Sequence, residues 1–337
     1  TLELMVRPAL SLPRIITPSE ISRLRNEGDT DVNSTTSQAK TILRPGGTLG
    51  WDGDAVGERH SKPSPKVLSV LSENESQMEA RLSSEEGPNR FITWNLNGLA
   101  TRMKKGDIQG PLLAKVGELM PDVIALQEVR LECEDDSPGM VKKGSTDEKC
   151  WEEFMAPYRE RYDAYLSLSS RKYGGQAVLV SKSVRTPRVS YNMSKAPGHY
   201  KSGRFIRLDF PDLVVRSVYA PFNGAGKEGH HVRRREWDAQ LLLEMEDPGP
   251  YSKARILLGD LNVVNNDSDI SGSPEFWKKQ GDQTVEEGDR GFGGTTENER
   301  RRFAEILCTG SMTDTFTAPL DPDSQPQFTF RGEGKFF

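Results

Sequence analysis

The chain has 337 residues, with 45 Lys or Arg against 50 Asp or Glu, for a formal net charge of -5 and a sequence pI near 5.6. A strongly basic footprint is absent, so any polyanion must be met by local basic loops. Hydrophobic residues are 34% and the mean hydropathy is -0.64, low for a chain that is globular throughout, and no apolar run is long enough to cross a bilayer.

Residues 1–88 are rich in Ser, Glu, Asn, Gly and Pro and lack sustained apolar periodicity. They read as a mostly disordered N-terminal extension, with a short helix at "PSEISRL" (18–24). The first residue is Thr, and the first twenty show no basic start followed by an apolar segment, so no secretory signal is read. A single domain is expected over 89–337.

The pattern changes at Phe91. "FITWNL" (91–96), "DVIALQ" (122–127), "QAVLVS" (176–181), "RFIRLDF" (204–210), "LVVRSVYA" (213–220) and "RILLGDL" (255–261) are apolar runs bounded by Gly, Pro, Asn or Asp, and they predict strands. Helices are predicted between them. Leu112, Leu113, Val116, Leu119 and Met120 share one face after Pro111, a good helix opener. A second runs over 232–246 with Val232, Trp237, Leu241 and Leu242, and a third follows the Thr296/Glu299 capping-box pattern into Phe303, Ile306 and Leu307. Strands interleaved with helices predict an α/β layered fold. The polar, glycine-bearing stretches 133–150 and 223–235 are expected as surface loops, with His230 and His231 as solvated loop residues.

Cys133, Cys150 and Cys308 are far apart, odd in number and not in any CxxC pair, so neither a zinc site nor a disulfide framework is implied. Their use fits a reducing compartment, nucleus or cytosol.

Several of the apolar runs end in acids or amides. The tips carry Asn95 and Asn97, then Gln127 and Glu128, then Tyr219, Pro221 and Asn223, then Gly259, Asp260 and Asn262. Residues two apart on a strand share a face, so Asn95 with Asn97, and Asp260 with Asn262, are expected to point into one cleft. Such a cleft suits metal-assisted attack on a phosphodiester. Glu128 can hold a hard divalent cation together with water and phosphate oxygens. Asp260 can orient or deprotonate a water. Asn95, Asn262 and Tyr219 can donate to phosphate oxygens without adding negative charge. Taken singly, "GDLN" is also a common turn and Tyr219 an ordinary core residue; four such tips in one chain are harder to assign to turn chemistry.

The motifs "TWNLNGLA" (93–100), "PDVIALQEVRL" (121–131), "SVYAPFNGAG" (217–226) and "ILLGDLNVVNNDSDI" (256–270) resemble the exonuclease III family of apurinic/apyrimidinic endonucleases, within the endonuclease/exonuclease/phosphatase superfamily. Weaker matches are "YGGQAVLVSK" (173–182), "SGRFIRLDF" (202–210), "GGTTENERRRFAEIL" (293–307) and "FTFR" (328–331). The resemblance implies a four-layered α/β sandwich, two mixed sheets packed face to face with helices outside. It implies Mg²⁺-dependent cleavage of double-stranded DNA on the 5' side of an abasic site, with Mn²⁺ as an alternative ion and 3'-5' exonuclease or 3'-phosphodiesterase activity as accompaniments. It further implies a nuclear or organellar address, such as the mitochondrion, and a monomer that does not act on membranes.

Carried over residue by residue, the resemblance makes Asn95 a phosphate- and network-binding amide, Glu128 a metal ligand and Asn97 a secondary metal-side residue. Tyr219 becomes the phosphate-contacting tyrosine, and Asp260, supported by Asn262, the residue that activates water. Tyr173 matches a DNA-contacting aromatic. Phe222 intervenes where the family has Asn directly after Pro221, which puts Asn223 in doubt as a substrate contact. Phosphate contacts are expected from Arg102, Lys104 and Lys105, from Arg171 and Lys172, and from the Arg233–Arg235 triplet, with Arg300–Arg302 as surface charge.

The family pattern also has an Asp-bearing strand and a Ser-Asp-His segment after the "FTF" strand. The sequence ends at Phe337 with His60, His199, His230 and His231 as its histidines, so the expectation is a domain lacking its last strands, with reduced activity. The alternatives are another superfamily phosphodiesterase, acting on RNA, inositol phosphates or sphingolipids, or a DNA-binding module that has lost catalysis. The "NDSDI" stretch and the arginine-rich capped helix speak against the former.

Overall fold

The Val-, Ile- and Leu-rich runs form two sheets. In the computed structural model the described residues are 2–6, 87–134, 137–169, 172–193, 201–224, 228–246, 253–270, 273–280 and 284–315. The first sheet has the order β1-β2-β3-β7-β6, with β1 Leu2–Val6, β2 Arg90–Asn95, β3 Val123–Gln127, β6 Tyr162–Ser167 and β7 Gln176–Ser181. The second has the order β11-β10-β9-β8, with β8 Arg188–Ser190, β9 Phe205–Asp209, β10 Leu213–Tyr219 and β11 Ala254–Asp260. Each sheet holds one parallel pair, β2 with β3 and β10 with β11, so each pair ends its two strands at the same edge.

Alternation along the strands divides the core. Val123 and Ala125 of β3 and Val178 and Val180 of β7 face Ile206, Leu208, Leu213, Val215 and Leu258 of the other sheet. Ile124, Leu126, Ala177 and Leu179 face the opposite way, against α1 (Leu99–Lys105), α2 (Gln109–Leu119) and α3 (Thr146–Met155). Beyond the second sheet, Val218 and Leu257 pack on Trp237 and Leu241 of α4 (Glu228–Glu246) and on Ile306 of α6 (Glu297–Gly310). The result is helix, sheet, sheet, helix, the expected four-layered sandwich. Each fully buried side chain of this kind contributes about 1.5–3 kcal/mol.

Towards the strand tips the space between the sheets turns polar. Thr93 donates to Gln127 at 3.2 Å, and Ser217 of the second sheet donates across the gap to Gln176 at 2.7 Å. This band lies directly beneath the cluster of acids and amides.

Several expectations need correction. Residues 2–6, read as part of a disordered extension, form a strand antiparallel to β2, with Leu2 opposite Trp94. The helix expected at 18–24, the strand at 328–331 and Arg171 lie outside the described residues. The stretch 133–150 contains β4 (Cys133–Glu134), β5 (Ser137–Val141) and the start of α3. Ser145 caps α3 by accepting from the Glu148 N–H at 3.1 Å, a signal present in "STDE". Helix α2 begins before Pro111. Helix α4 begins at Glu228, so His230 and His231 are helical, and His231 is 2% exposed. Its buried face carries His231, Arg234, Asp238 and Leu241, a helical spacing written partly in charges. At the predicted capping box, Thr296 accepts from the Glu299 N–H at 3.3 Å.

Candidate active site

The two parallel pairs deliver their tips to one place. Asn95 ends β2, Glu128 follows β3, Tyr219 ends β10 and Asp260 ends β11. The Asn95 side-chain NH₂ donates to Glu128 Oε1 at 3.0 Å and to Asp260 Oδ2 at 2.6 Å, so a single amide joins the acid of one sheet to the acid of the other. Its own Oδ1 accepts from the Asn97 N–H at 2.9 Å.

The backbone at these tips is left-handed. Asn97 has φ 52°, Glu128 φ 51°, Arg130 φ 51° and Asn262 φ 46°. Asparagine tolerates that region, whereas glutamate and arginine are held there at a cost of about 1–3 kcal/mol each. The hold is visible: Gly98 N–H donates to Glu128 O at 2.8 Å, and Val129 and Arg130 N–H donate to Gly175 and Gly174 carbonyls at 3.1 and 2.9 Å. The expectation that each i, i+2 pair shares a strand face is therefore wrong, because both strands have ended. Asn97 is exposed beyond the tip. Asn262 instead turns back, its N–H donating to Asp260 Oδ1 at 3.0 Å and its side chain to Ala220 O at 2.8 Å. It thus braces Asp260 from the protein side.

Gly259 shows how tightly Asp260 is placed. Its φ is 128°, and a Cβ there would lie 2.0 Å from the Val218 carbonyl of the adjoining strand. Replacing it with Ala should destabilise the fold by about 1–3 kcal/mol from backbone strain alone, with the collision added. Urea unfolding would measure this, and an unchanged midpoint would contradict the geometry.

Burial raises the Asp260 carboxyl above the ordinary carboxylate range. Hydrogen bonds from Asn95 and from the Asn262 backbone pull it back, the Glu128 charge adds to the rise and Arg234 opposes it. Tyr219, 2% exposed, has its phenol pushed well up by burial and by the Glu128 charge, against Arg204, with a hydrogen bond to Glu128 adding to the rise. It is therefore a neutral donor at physiological pH. Arg204 lies over the Tyr219 ring at 4.5 Å and the Tyr173 ring at 5.9 Å, and donates to Tyr219 O at 3.0 Å. Tyr173 itself is 49% exposed beside the cleft.

The donors at the tips are oxygens. Glu128 presents a carboxylate whose Oε2 accepts from Arg130 Nε at 3.0 Å and also from Nη2. Among the described residues no group of three or more His, Cys, Asp or Glu forms a metal cage. One carboxylate with amides and carboxylate oxygens nearby fits a hard divalent cation that keeps most of its shell as water and substrate oxygens.

Other site expectations fare differently. Arg102 braces the turn after β2, with Nε donating to Leu96 O at 2.8 Å and Nη1 to Asp107 at 3.1 Å. Lys172 ion-pairs with the buried Asp147 at 2.8 Å, which anchors the Tyr173 loop to α3. Lys104 is exposed on α1. Asn223 is 1% exposed and shares a 2.8 Å hydrogen bond with His231 Nδ1, so it faces away from substrate. The inserted Phe222 explains this: its ring packs on Phe292 at 5.6 Å, which packs on Trp277 at 4.9 Å, and the adjoining amide is turned inward. Of the arginine triplet, Arg234 is 2% exposed and Arg235 pairs with Asp289 at 2.7 Å. Arg300 and Arg302 pair with Asp267 and Asp238 at 2.6 and 2.8 Å. Sequence reasoning missed Arg130, Arg204 and Arg234 as site-bracing residues. The "EVR" after the acid tip was the available signal for the first.

Comparison with known proteins places the chain in a family. The profile of the Endonuclease/Exonuclease/phosphatase family matches residues 92–309. A DNA-(apurinic or apyrimidinic site) endonuclease of Arabidopsis thaliana is 32% identical over 248 residues, 69% of this chain and 67% of that protein. One of the same description from Plasmodium berghei is 32% identical over 262 residues, covering 68% of this chain, and the chain spans about half of it, 47%. A solved AP endonuclease from Archaeoglobus fulgidus aligns with a TM-score of 0.46 at 21% identity, over 64% of this chain and 69% of that one. With acid and amide tips of two packed sheets meeting at Asn95, the chain belongs to the endonuclease/exonuclease/phosphatase family, in its branch of exonuclease III-type apurinic/apyrimidinic endonucleases.

Proposed function

We propose that the chain hydrolyses the phosphodiester on the 5' side of an abasic site in double-stranded DNA, as a DNA-repair endonuclease that uses Mg²⁺. The observation that carries this reading is the single amide of Asn95 joined to both Glu128 and Asp260. The names of the Arabidopsis and Plasmodium relatives support the substrate.

Glu128 would hold the cation, with Asn97 exposed on the same rim. A divalent cation there would neutralise charge on the phosphate and on the leaving oxygen. Asp260, whose carboxylate is held by the Asn95 amide and the Asn262 N–H, accepts the proton of the attacking water. The neutral Tyr219 hydroxyl donates to a phosphate oxygen. Asn95 holds the two carboxylates side by side, its NH₂ donating to one oxygen of each. Tyr173 stands where a DNA strand would run past the cleft. We read the enzyme as a monomer of the nucleus, with an organelle as the alternative address.

Incubating the protein with Mg²⁺ and a duplex bearing one tetrahydrofuran abasic analogue should give a single cut 5' to the lesion. Turnover of poly(A) or inositol phosphates in preference to that duplex would overturn the assignment.

A pH effect follows from the Asn95 bridge. Its hydrogen bond favours ionised Asp260, so Asn95→Ala should raise the Asp260 pKa further. The acid limb of the rate profile should move to higher pH. An unmoved limb in the variant would show that Asp260 is not the titrating base.

A further inference from the structure

The β10–β11 ladder ends with Ala220 N–H donating to Asp260 O at 2.8 Å. Just past that point the two tip loops converge on Arg234, from α4. Its Nη1 donates to Pro221 O at 3.2 Å and to Asn262 O at 2.9 Å. Pro221 lies two residues beyond Tyr219, and Asn262 two beyond Asp260. The guanidinium is 2% exposed and is fixed from behind. Asp238 Oδ1 accepts from its Nε at 2.8 Å, while Asp238 Oδ2 accepts from Arg302 Nε of α6 at 2.8 Å. Glu299 lies 3.9 Å from Nη1 and is itself held by the Gly294 N–H at 2.8 Å and the Thr296 hydroxyl at 2.7 Å.

We propose that Arg234 is a positioning residue for phosphodiester hydrolysis, a buried clamp that fixes the Tyr219 and Asp260 tips relative to one another. It cannot touch DNA, so the phosphate contact expected of the arginine triplet does not apply to it. A buried cation is costly unless fully paired, and removing Arg234 alone would leave the buried Asp238 and Glu299 less compensated, so stability must be read beside rate. Its planar fork, with donors aimed at two carbonyls and a carboxylate at once, is what a lysine point charge cannot reproduce. The kinetic part of this inference rests on the hydrolytic reading of the site.

Arg234→Met and Arg234→Lys test it. In the methionine variant Asp238 keeps Arg302 on Oδ2 and Glu299 keeps Gly294 and Thr296 on Oε2, while Asp238 Oδ1 loses its donor, so the lysine variant is the milder test. Single-turnover rates and KM on abasic duplex would be read beside thermal unfolding and hydrogen–deuterium exchange of the loops 219–224 and 260–264. Displacing reacting groups by about 1 Å costs about 10²-fold in rate, so a loss of that order is expected with KM changed by less than about three-fold. Exchange should rise in both loops together. The lysine variant, unfolding at nearly the wild-type temperature, should still lose at least about ten-fold in rate. A folded variant with wild-type rate, or exchange unchanged in both loops, would overturn the clamp. If the methionine variant does not fold, the lysine variant decides. If the wild type does not incise abasic DNA, the functional reading fails while the exchange result still decides the clamp.

Discussion

Asp260→Asn should lower the single-turnover rate of abasic-duplex incision by about 10²- to 10⁴-fold, the range for losing a positioned proton acceptor. Binding should change little. The amide can still accept from the Asn262 N–H through its oxygen, so the turn that places it survives. What is lost is the carboxylate that accepts from Asn95 and from water. The same substitution makes a thermodynamic statement. The folded state raises the Asp260 pKa above its unfolded value, so folded protein binds the proton more tightly. Stability contributed by this group is then greatest at low pH and falls as pH rises through the folded pKa. Wild type should lose stability across that window relative to the variant, and urea midpoints across pH would show it. A variant within ten-fold of wild-type rate would remove Asp260 from the chemistry.

Glu128→Gln should act through the cation. Disturbing even the groups that support a metal ligand costs 10- to 100-fold in affinity, so removing the ligand charge should raise the Mg²⁺ needed for half-maximal rate by about 100-fold or more. The effect has a signature that Asp260→Asn lacks: raising Mg²⁺ should restore part of the rate in the first variant and none in the second. Freed from its carboxylate, Arg130 also loses its hydrogen-bonded partner, which adds a small stability cost at a half-exposed ion pair. Identical Mg²⁺ dependence in wild type and Glu128→Gln would place the cation elsewhere.

The sheets and the acid tips were legible because they follow simple periods. β3 and β10 are buried throughout and mostly apolar, with Arg216 and Ser217 the exceptions in β10, and the site is built where they and their parallel partners end. Helix α4 was legible from Val232 onward, while its first turn, 228–231, was read as loop. Its buried face includes His231, Arg234, Asp238 and Glu244, so an apolar-period reading sees a polar loop where a packed helix stands. The pairing of neighbouring amides failed for a different reason. The i, i+2 rule holds within a strand, and Asn97 and Asn262 sit two residues past theirs, in left-handed turns that nothing in local composition demands. The one-residue insertion at Phe222 was visible, and doubt about Asn223 followed from it. That the ring would find Phe292, far along the chain, is tertiary information.

Asn95 spans the seam between two independently hydrogen-bonded layers, holding one acid from each. Sliding one layer against the other by a single residue, about 3.3 Å, would carry the acids out of reach of one amide while leaving each layer internally intact. The chemistry thus acts as a gauge of docking. A chain whose halves have formed but not yet seated would lack the joined acids, so any activity of this site would report complete assembly.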